Sequence, residues 1–108
     1  MIRSEFKEPP AFDKLLPRNE HRQFDIYIQM RPGATEFLRE MAKHYELVLF
    51  TASLPKYADP LMDILDPERL CTGRLFREHC CFLEQEKIYT KDMSLLGRRI
   101  EDVILLDN

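Results

Sequence analysis

From Arg22 to Met30 the run RQFDIYIQM sets Phe24, Ile26, Ile28 and Met30 against polar residues at alternate positions, the period of a half-buried strand. Arg31-Pro32-Gly33 ends it. From Ala34 to Tyr45, Phe37, Leu38, Met41, Ala42 and Tyr45 share one stripe at helical spacing, with Thr35 and Glu36 in the first turn, so an amphipathic helix is predicted. Glu46 to Phe50 is a near-continuous apolar run, the kind covered on both faces in a parallel sheet. A second helix is predicted from about Lys56 to Leu65, with Tyr57, Ala58, Leu61, Met62 and Leu65 facing inward. Beyond Asp66-Pro67, strand-like pieces at Arg74 to Phe76, Cys80 to Leu83 and Lys87 to Tyr89 lie between charged turns and suggest small antiparallel or edge pairings. A helical turn around Ser94 to Leu96 stops at Gly97, and Val103 to Leu106 reads as a final strand.

Strand, helix, strand, helix, strand is the alternation of an α/β fold with parallel order. Residues 1 to 21 are polar and carry Pro9, Pro10 and Pro17, so they are predicted to form a loop wrapping over the rest. At 108 residues the chain is one domain or part of one, able to bury roughly 60 to 70% of its unfolded surface. A charged fraction of 32% beside a hydrophobic fraction of 44% is that of a soluble globular protein and excludes full disorder.

The net charge of -3, without a basic stripe, excludes a nucleic-acid backbone as the expected partner. No apolar run approaches the ~20 residues that span a bilayer, and MIRSEFKEPP has no signal-peptide core. A nuclear or cytoplasmic setting is expected. Cys71, Cys80 and Cys81 are odd in number and lack paired spacing, which points to reduced, half-buried cysteines. His79-Cys80-Cys81 does not make a zinc site, because strand neighbours point to opposite faces.

In open α/β sheets the ligand sits outside the carboxyl ends of the strands, which directs attention to Thr51, Lys91-Asp92 and Asp107-Asn108. The Thr51 hydroxyl and the N–H groups of Ala52 and Ser53 could bind phosphate oxygens, or Thr51 could simply cap a turn. Lys91 offers a compact positive charge that Asp92 could hold in place, or is a solvated lysine. The oxygens of Asp107 and Asn108 suit a hard cation such as Mg2+, or cap the turn after a strand.

Taken in order, LFTASLPKYADP, RLFREHC, YTKDMSLLGR and ILLDN strongly resemble the small phosphatases that act on the carboxy-terminal tail of RNA polymerase II, a branch of the haloacid dehalogenase superfamily. Nuclear-envelope phosphatases that control lipid synthesis share much of the pattern. The resemblance covers nearly the whole chain from about Ser4. It implies a haloacid-dehalogenase-like Rossmannoid parallel sheet with a small β insertion, and aspartyl-phosphate chemistry on phosphoserine or phosphothreonine peptides with Mg2+. By the same resemblance Thr51 binds the phosphoryl group with Ser53 beside it, and Lys91 neutralises it. Asn108 completes the Mg2+ shell with Asp107 nearby. Arg77 contacts substrate, and Tyr57 lies near the peptide-binding mouth.

In relatives a DxDxT motif ends the first core strand and supplies the nucleophile and the general acid. None occurs in these 108 residues, and IRSEFKEPP resembles the sequence that follows it. Asp13 and Asp25 lack the paired spacing, and Asp25 falls within a predicted strand. The expectation is therefore a single partial phosphatase homology domain over residues 1–108, incomplete in its sheet because the central first strand is missing, with a missing complementary segment as an expected partner. Such a chain alone should neither bind Mg2+ nor turn over substrate. The alternatives to a truncated enzyme domain are a non-catalytic phosphopeptide-binding module or a tethering subunit.

Overall fold

The computed structural model describes residues 2–4, 14–16 and 26–107. Strands β1 (Ile2–Ser4), β2 (Lys14–Leu16) and β3 (Ile26–Ile28) form an antiparallel sheet in the order β1-β3-β2. Ile28 stands opposite both Ile2 and Lys14. The first two strands correct the expectation of an unbroken N-terminal loop. Pro9, Pro10 and Pro17 all fall outside these three-residue strands, where they remove no ladder N–H. The strand predicted from Arg22 is confirmed at Ile26–Ile28, while residues 22–25, Phe24 among them, lie outside the described part.

β3 is buried throughout rather than on alternate residues: Ile26 is 2% exposed, Tyr27 9% and Ile28 1%. Both of its edges are paired, and Tyr57, Leu61 and Ile64 of helix α2 (Pro55–Leu65) pack with Met30 against Ile26 and Ile28. A central strand covered by a helix has no solvent face to give to polar residues. The predicted inner face of α2 is confirmed in its most buried members, Ala58 and Met62. Pro55 at the first turn starts the helix with φ already set.

Helix α1 (Ala34–Met41) begins after Gly33, whose φ of 79° is a left-handed conformation natural to glycine. It ends four residues short of the predicted boundary, because its last turn tightens: Lys43 N–H donates to Glu40 O and His44 N–H to Met41 O. No α1 residue is buried. The helix is tied down through polar contacts instead, Thr35 Oγ1 donating to Leu65 O at 3.3 Å and Arg39 Nε to Glu68 at 2.7 Å.

Strands β4 (Leu47–Phe50) and β5 (Cys71–Leu75) pair in parallel through α2, the expected βαβ order. A register shift after Leu47 sets Val48 opposite Gly73, and the intervening Thr72 returns a hydroxyl bond to Leu47 O at 3.2 Å. The predicted strand at Arg74 thus starts earlier, at Cys71, and is not an antiparallel piece. β4 also departs from two-sided cover, since Val48 is 42% exposed and β5 is its only partner among the described residues.

The crossover from α2 into β5 is closed by a buried carboxylate. Asp66, 1% exposed, accepts from Leu70 N–H at 2.8 Å and Cys71 N–H at 2.9 Å. Burial alone would raise its pKa, but those donors, the Cys71 thiol and the Arg74 guanidinium outweigh it and hold the carboxyl below its ordinary value. Arg74 reaches back from β5 to Asp59 and Asp63 on α2. Helix and strand are therefore locked together at both ends of the connection.

Strands β6 (Cys81–Leu83) and β7 (Ile88–Thr90) form the expected antiparallel hairpin. A 3-10 turn over Met93–Leu96 stops at Gly97, φ 75°, as the sequence predicts. Arg98 then binds the Glu46 carboxylate beside β4, at 3.0 and 3.2 Å from Nη2. The final predicted strand is a correction. Residues 103–107 have no ladder partner among the described residues, and Ile104 and Leu106 are 76% and 78% exposed. A continuous apolar run does not make a strand where no neighbouring backbone supplies its hydrogen bonds.

Candidate functional site

Because β4 and β5 are parallel, their carboxyl ends open on the same side, and the chain leaving each turns back over the other. Thr51 N–H donates to Leu75 O at 2.9 Å, extending the ladder by one residue. The Thr51 hydroxyl then accepts from Ser53 N–H at 3.1 Å and shapes the turn into α2. Of the two roles expected for Thr51, turn capping is the one these bonds show.

Beyond β5, Arg77 opens a 3-10 turn over Arg77–His79. Its backbone N–H donates to Ser53 O at 3.1 Å and its Nε to Ala52 O at 2.7 Å. The guanidinium carbon lies 5.0 Å from the centre of the Tyr89 ring on β7, a cation–π distance. Neither Nη group has a hydrogen-bond partner among the described residues. Cys80 lies close behind, its Sγ 3.9 Å from Thr51 O and 3.7 Å from Phe76 O. The structure therefore brings Thr51, Ser53 and Arg77 together and stiffens the cation at its Nε edge while leaving its outer edge available.

Lys91 and Asp107 form a second cluster, with Nζ 2.6 Å from Oδ2. Asp92 does not hold the lysine. Its Oδ1 accepts instead from the Ser94 hydroxyl at 2.6 Å and from Ser94 N–H at 3.0 Å, bonds that set its pKa below the ordinary value. An extended backbone turns adjacent side chains to opposite sides, so the carboxylate sixteen residues on reaches Nζ where the neighbour does not. No hydrogen bond joins this pair to the Thr51–Arg77 cluster among the described residues. Tyr57 is half-buried against Ile26 and Ile28, with Lys56 Nζ 5.1 Å from its ring centre. Asn108 lies outside the described part.

The described residues do not by themselves fit a Mg2+ shell. Asp107 is the only carboxylate at the predicted position, and it already faces an ammonium group. No cluster of three metal-ligating side chains occurs among the described residues. The cysteines are free thiols. Burial, then the negative charge and hydrogen bond of Asp66, push Cys71 up to about 11, so it is a protonated structural thiol.

Three contributors escaped the sequence reading. Tyr89 was visible only as part of a strand, and Asp66 only as a helix stop. His79 was weighed only as a metal ligand, yet its Nδ1 accepts from Phe76 N–H at 2.9 Å. Its spacing of three residues from Phe76, the first residue past the strand, is the signal of a short-turn cap.

Comparison with known proteins puts a family on this arrangement. The model of the NLI interacting factor-like phosphatases matches residues 1–108. The chain is 43% identical over 109 aligned positions to human carboxy-terminal domain RNA polymerase II polypeptide A small phosphatase 2, covering 100% of this chain and 40% of that protein. It is 41% identical to CTD small phosphatase-like protein 1 of Caenorhabditis elegans, covering 100% of this chain and 22% of the relative. An uncharacterized protein of Schizosaccharomyces pombe is 50% identical over 86 residues, covering 80% of this chain and 26% of that protein. The chain thus spans well under half the length of these curated relatives. With the match running from end to end, the chain belongs to the NLI interacting factor-like phosphatase family, the small carboxy-terminal-domain phosphatases of the haloacid dehalogenase superfamily, and its 108 residues carry no DxDxT motif.

Proposed function

We propose that these residues form the phosphoryl-binding part of a protein serine/threonine phosphatase domain. The observation that carries this reading is the convergence of Thr51 and Arg77 at the carboxyl ends of two parallel strands, with the Arg77 Nη edge unpaired among the described residues. A guanidinium presents planar paired donors that match a phosphate monoester. The relatives' names support a phosphorylated polypeptide as the substrate class.

Within this reading Arg77 receives the phosphoryl group of a phosphoserine or phosphothreonine peptide, Thr51 and Ser53 line its approach, and Lys91 neutralises charge at the phosphorus. Asp107 holds Lys91 through their ion pair. In a complete site Asn108 and Asp107 would be the residues offered to Mg2+, which would supply charge neutralisation there. The fold is a haloacid-dehalogenase-like Rossmannoid sheet in which β6 and β7 are the small insertion. The working location is nuclear or cytoplasmic, with neither nucleic acid nor a membrane span as partner. No helix among the described residues is long and apolar enough to cross a membrane.

Attack on phosphorus needs a nucleophile, and with no DxDxT in these residues they are proposed to bind without turnover. A second reading, a phosphopeptide-binding module, rests on the same Thr51–Arg77 geometry. The deciding experiment compares the 108 residues with the same residues preceded by a segment ending in DLDETL. Both should bind a phosphoserine-proline peptide over its unphosphorylated form, and only the longer protein should release phosphate with Mg2+ present. Binding without release in the folded longer protein would replace the enzyme reading with the binding module.

A further inference from the structure

The turn that carries Arg77 is closed by a side chain able to lose its function on protonation. Phe76, 8% exposed, donates its backbone N–H to His79 Nδ1 at 2.9 Å, and His79 N–H returns a bond to Phe76 O at 2.9 Å. Between these two reciprocal bonds sits Arg77, whose carbonyl accepts from Cys80 N–H at 3.0 Å. The imidazole itself is exposed and open to protons from solvent.

An imidazole nitrogen accepts a hydrogen bond only through an unprotonated lone pair, whereas both nitrogens of the imidazolium are donors. Protonation of His79 therefore removes the acceptor and leaves the Phe76 N–H facing another N–H. Orphaning a buried amide costs as much as the bond contributed, or more. Opening of the turn relieves that contact, and it moves the backbone from which Arg77 reaches Ala52 O and Ser53 O. The other ionisable groups around this turn are Arg77 and Glu78 within it, Cys80 directed at Thr51 O, and Tyr89 across from β7 against Arg77. None of them hydrogen-bonds the His79 ring among the described residues, so no neighbour supplies a substitute acceptor.

We propose that His79 is a positioning residue for Arg77: neutral, it closes the turn that braces the guanidinium against the Thr51–Ser53 loop, and protonated, it releases that brace. The role of the brace in phosphopeptide binding rests on the reading given under Proposed function; the coupling between His79 and Arg77 does not. Protonation of His79 thereby weakens binding of a phosphoserine peptide through the protein, over and above any change in the charge of the phosphate itself.

The test is nitrogen-15 NMR on the 108-residue chain, following the His79 ring, the Phe76 amide and the Arg77 Nε–H through the histidine titration, for the wild type and two variants. His79→Asn offers a side-chain carbonyl acceptor that does not titrate, and His79→Ala offers none. Wild type should show both Phe76 and Arg77 signals changing with the midpoint of the His79 ring, with the Phe76 amide's protection, referred to the intrinsic exchange rate at each pH, lower by about tenfold on the acid side. His79→Asn should hold the closed state at every pH, and His79→Ala the open one. An Arg77 Nε–H that ignores the His79 titration, or a His79→Asn protein that titrates like wild type, would overturn the proposal. Phosphoserine peptide affinity, measured on the same samples, should fall on acidification about three- to tenfold more in wild type than in His79→Asn. Intact coupling with no phosphopeptide affinity at neutral pH would overturn the phosphopeptide reading alone.

Discussion

Around α2 the chain buries Ile26, Ile28, Ala58, Met62 and Phe76, and encloses one carboxylate, Asp66, with its donors. From Cys81 to Asp107 no described residue is buried, and Phe82, Ile88, Leu95, Ile104 and Leu106 are all exposed apolar side chains. The candidate site is divided between these regions. Thr51 and Arg77 stand on the packed βαβ unit, whereas Lys91 and Asp107 stand on segments held mainly by a hairpin and ion pairs. Local opening is least costly where few apolar contacts must be broken, so under the proposed function the Thr51–Arg77 part of the site should be rigid and the Lys91–Asp107 part adaptable.

The strongest way to break that contrast is to cut the same kind of atoms from both regions. Ile28→Ala should cost about 2 to 5 kcal/mol in urea unfolding, while Leu106→Ala should stay within about 0.5 kcal/mol. Equal losses would mean that residues 103–107 are packed in solution. Next in size, Asp66→Ala strips the acceptor from two backbone amides and a charge from beside Arg74, and should cost about 3 kcal/mol, with Asp66→Asn costing less.

The same carboxylate sets an acid limit. Its pKa in the folded chain lies below its ordinary value of 3.8, so its stabilising contribution is complete above that value and is lost as pH falls through the folded pKa. Thermal melts of wild type and Asp66→Asn should therefore converge only below pH 3.8. Wild type losing its advantage at neutral pH would contradict the assignment.

Smaller effects sharpen the division within the site. Tyr89→Leu removes the ring beneath Arg77 and should weaken phosphoserine peptide binding by about two- to fivefold with little change in stability. Lys91→Ala breaks an ion pair whose carboxylate partner is half exposed, and should change stability by less than about 1 kcal/mol. Calorimetry on that variant checks the point, and a large loss would place Lys91 in the packed region after all.

Local periodicity made much of this legible: α2, the LVLF strand, the 81–90 hairpin and the stop at Gly97 all follow from residues within a few positions of one another. Pairing between distant segments was hidden. β1 and β2 sit among prolines and polar residues with no period to announce them, and their strands exist because β3 supplies the partner. Val103 to Leu106 fails in the opposite sense, with a convincing apolar run and no described neighbour to bond. At the candidate site, residue type and strand ends pointed to Thr51 and Lys91, and the family resemblance to Arg77. It could not show that Lys91 takes Asp107 rather than Asp92, or that His79 closes the Arg77 turn, because both depend on which way a side chain leaves the backbone.

The central claim is that a phosphoryl group is recognised where β4 and β5 end. Amide and Arg Nε chemical-shift mapping with a phosphoserine-proline peptide tests it directly. Shifts should concentrate at Thr51, Ala52, Ser53 and Arg77, vanish with the unphosphorylated peptide, and be lost in Arg77→Ala while its melting temperature stays near that of wild type. Shifts centred on α1 or on residues 103–107, or an identical response to the unphosphorylated peptide, would contradict it.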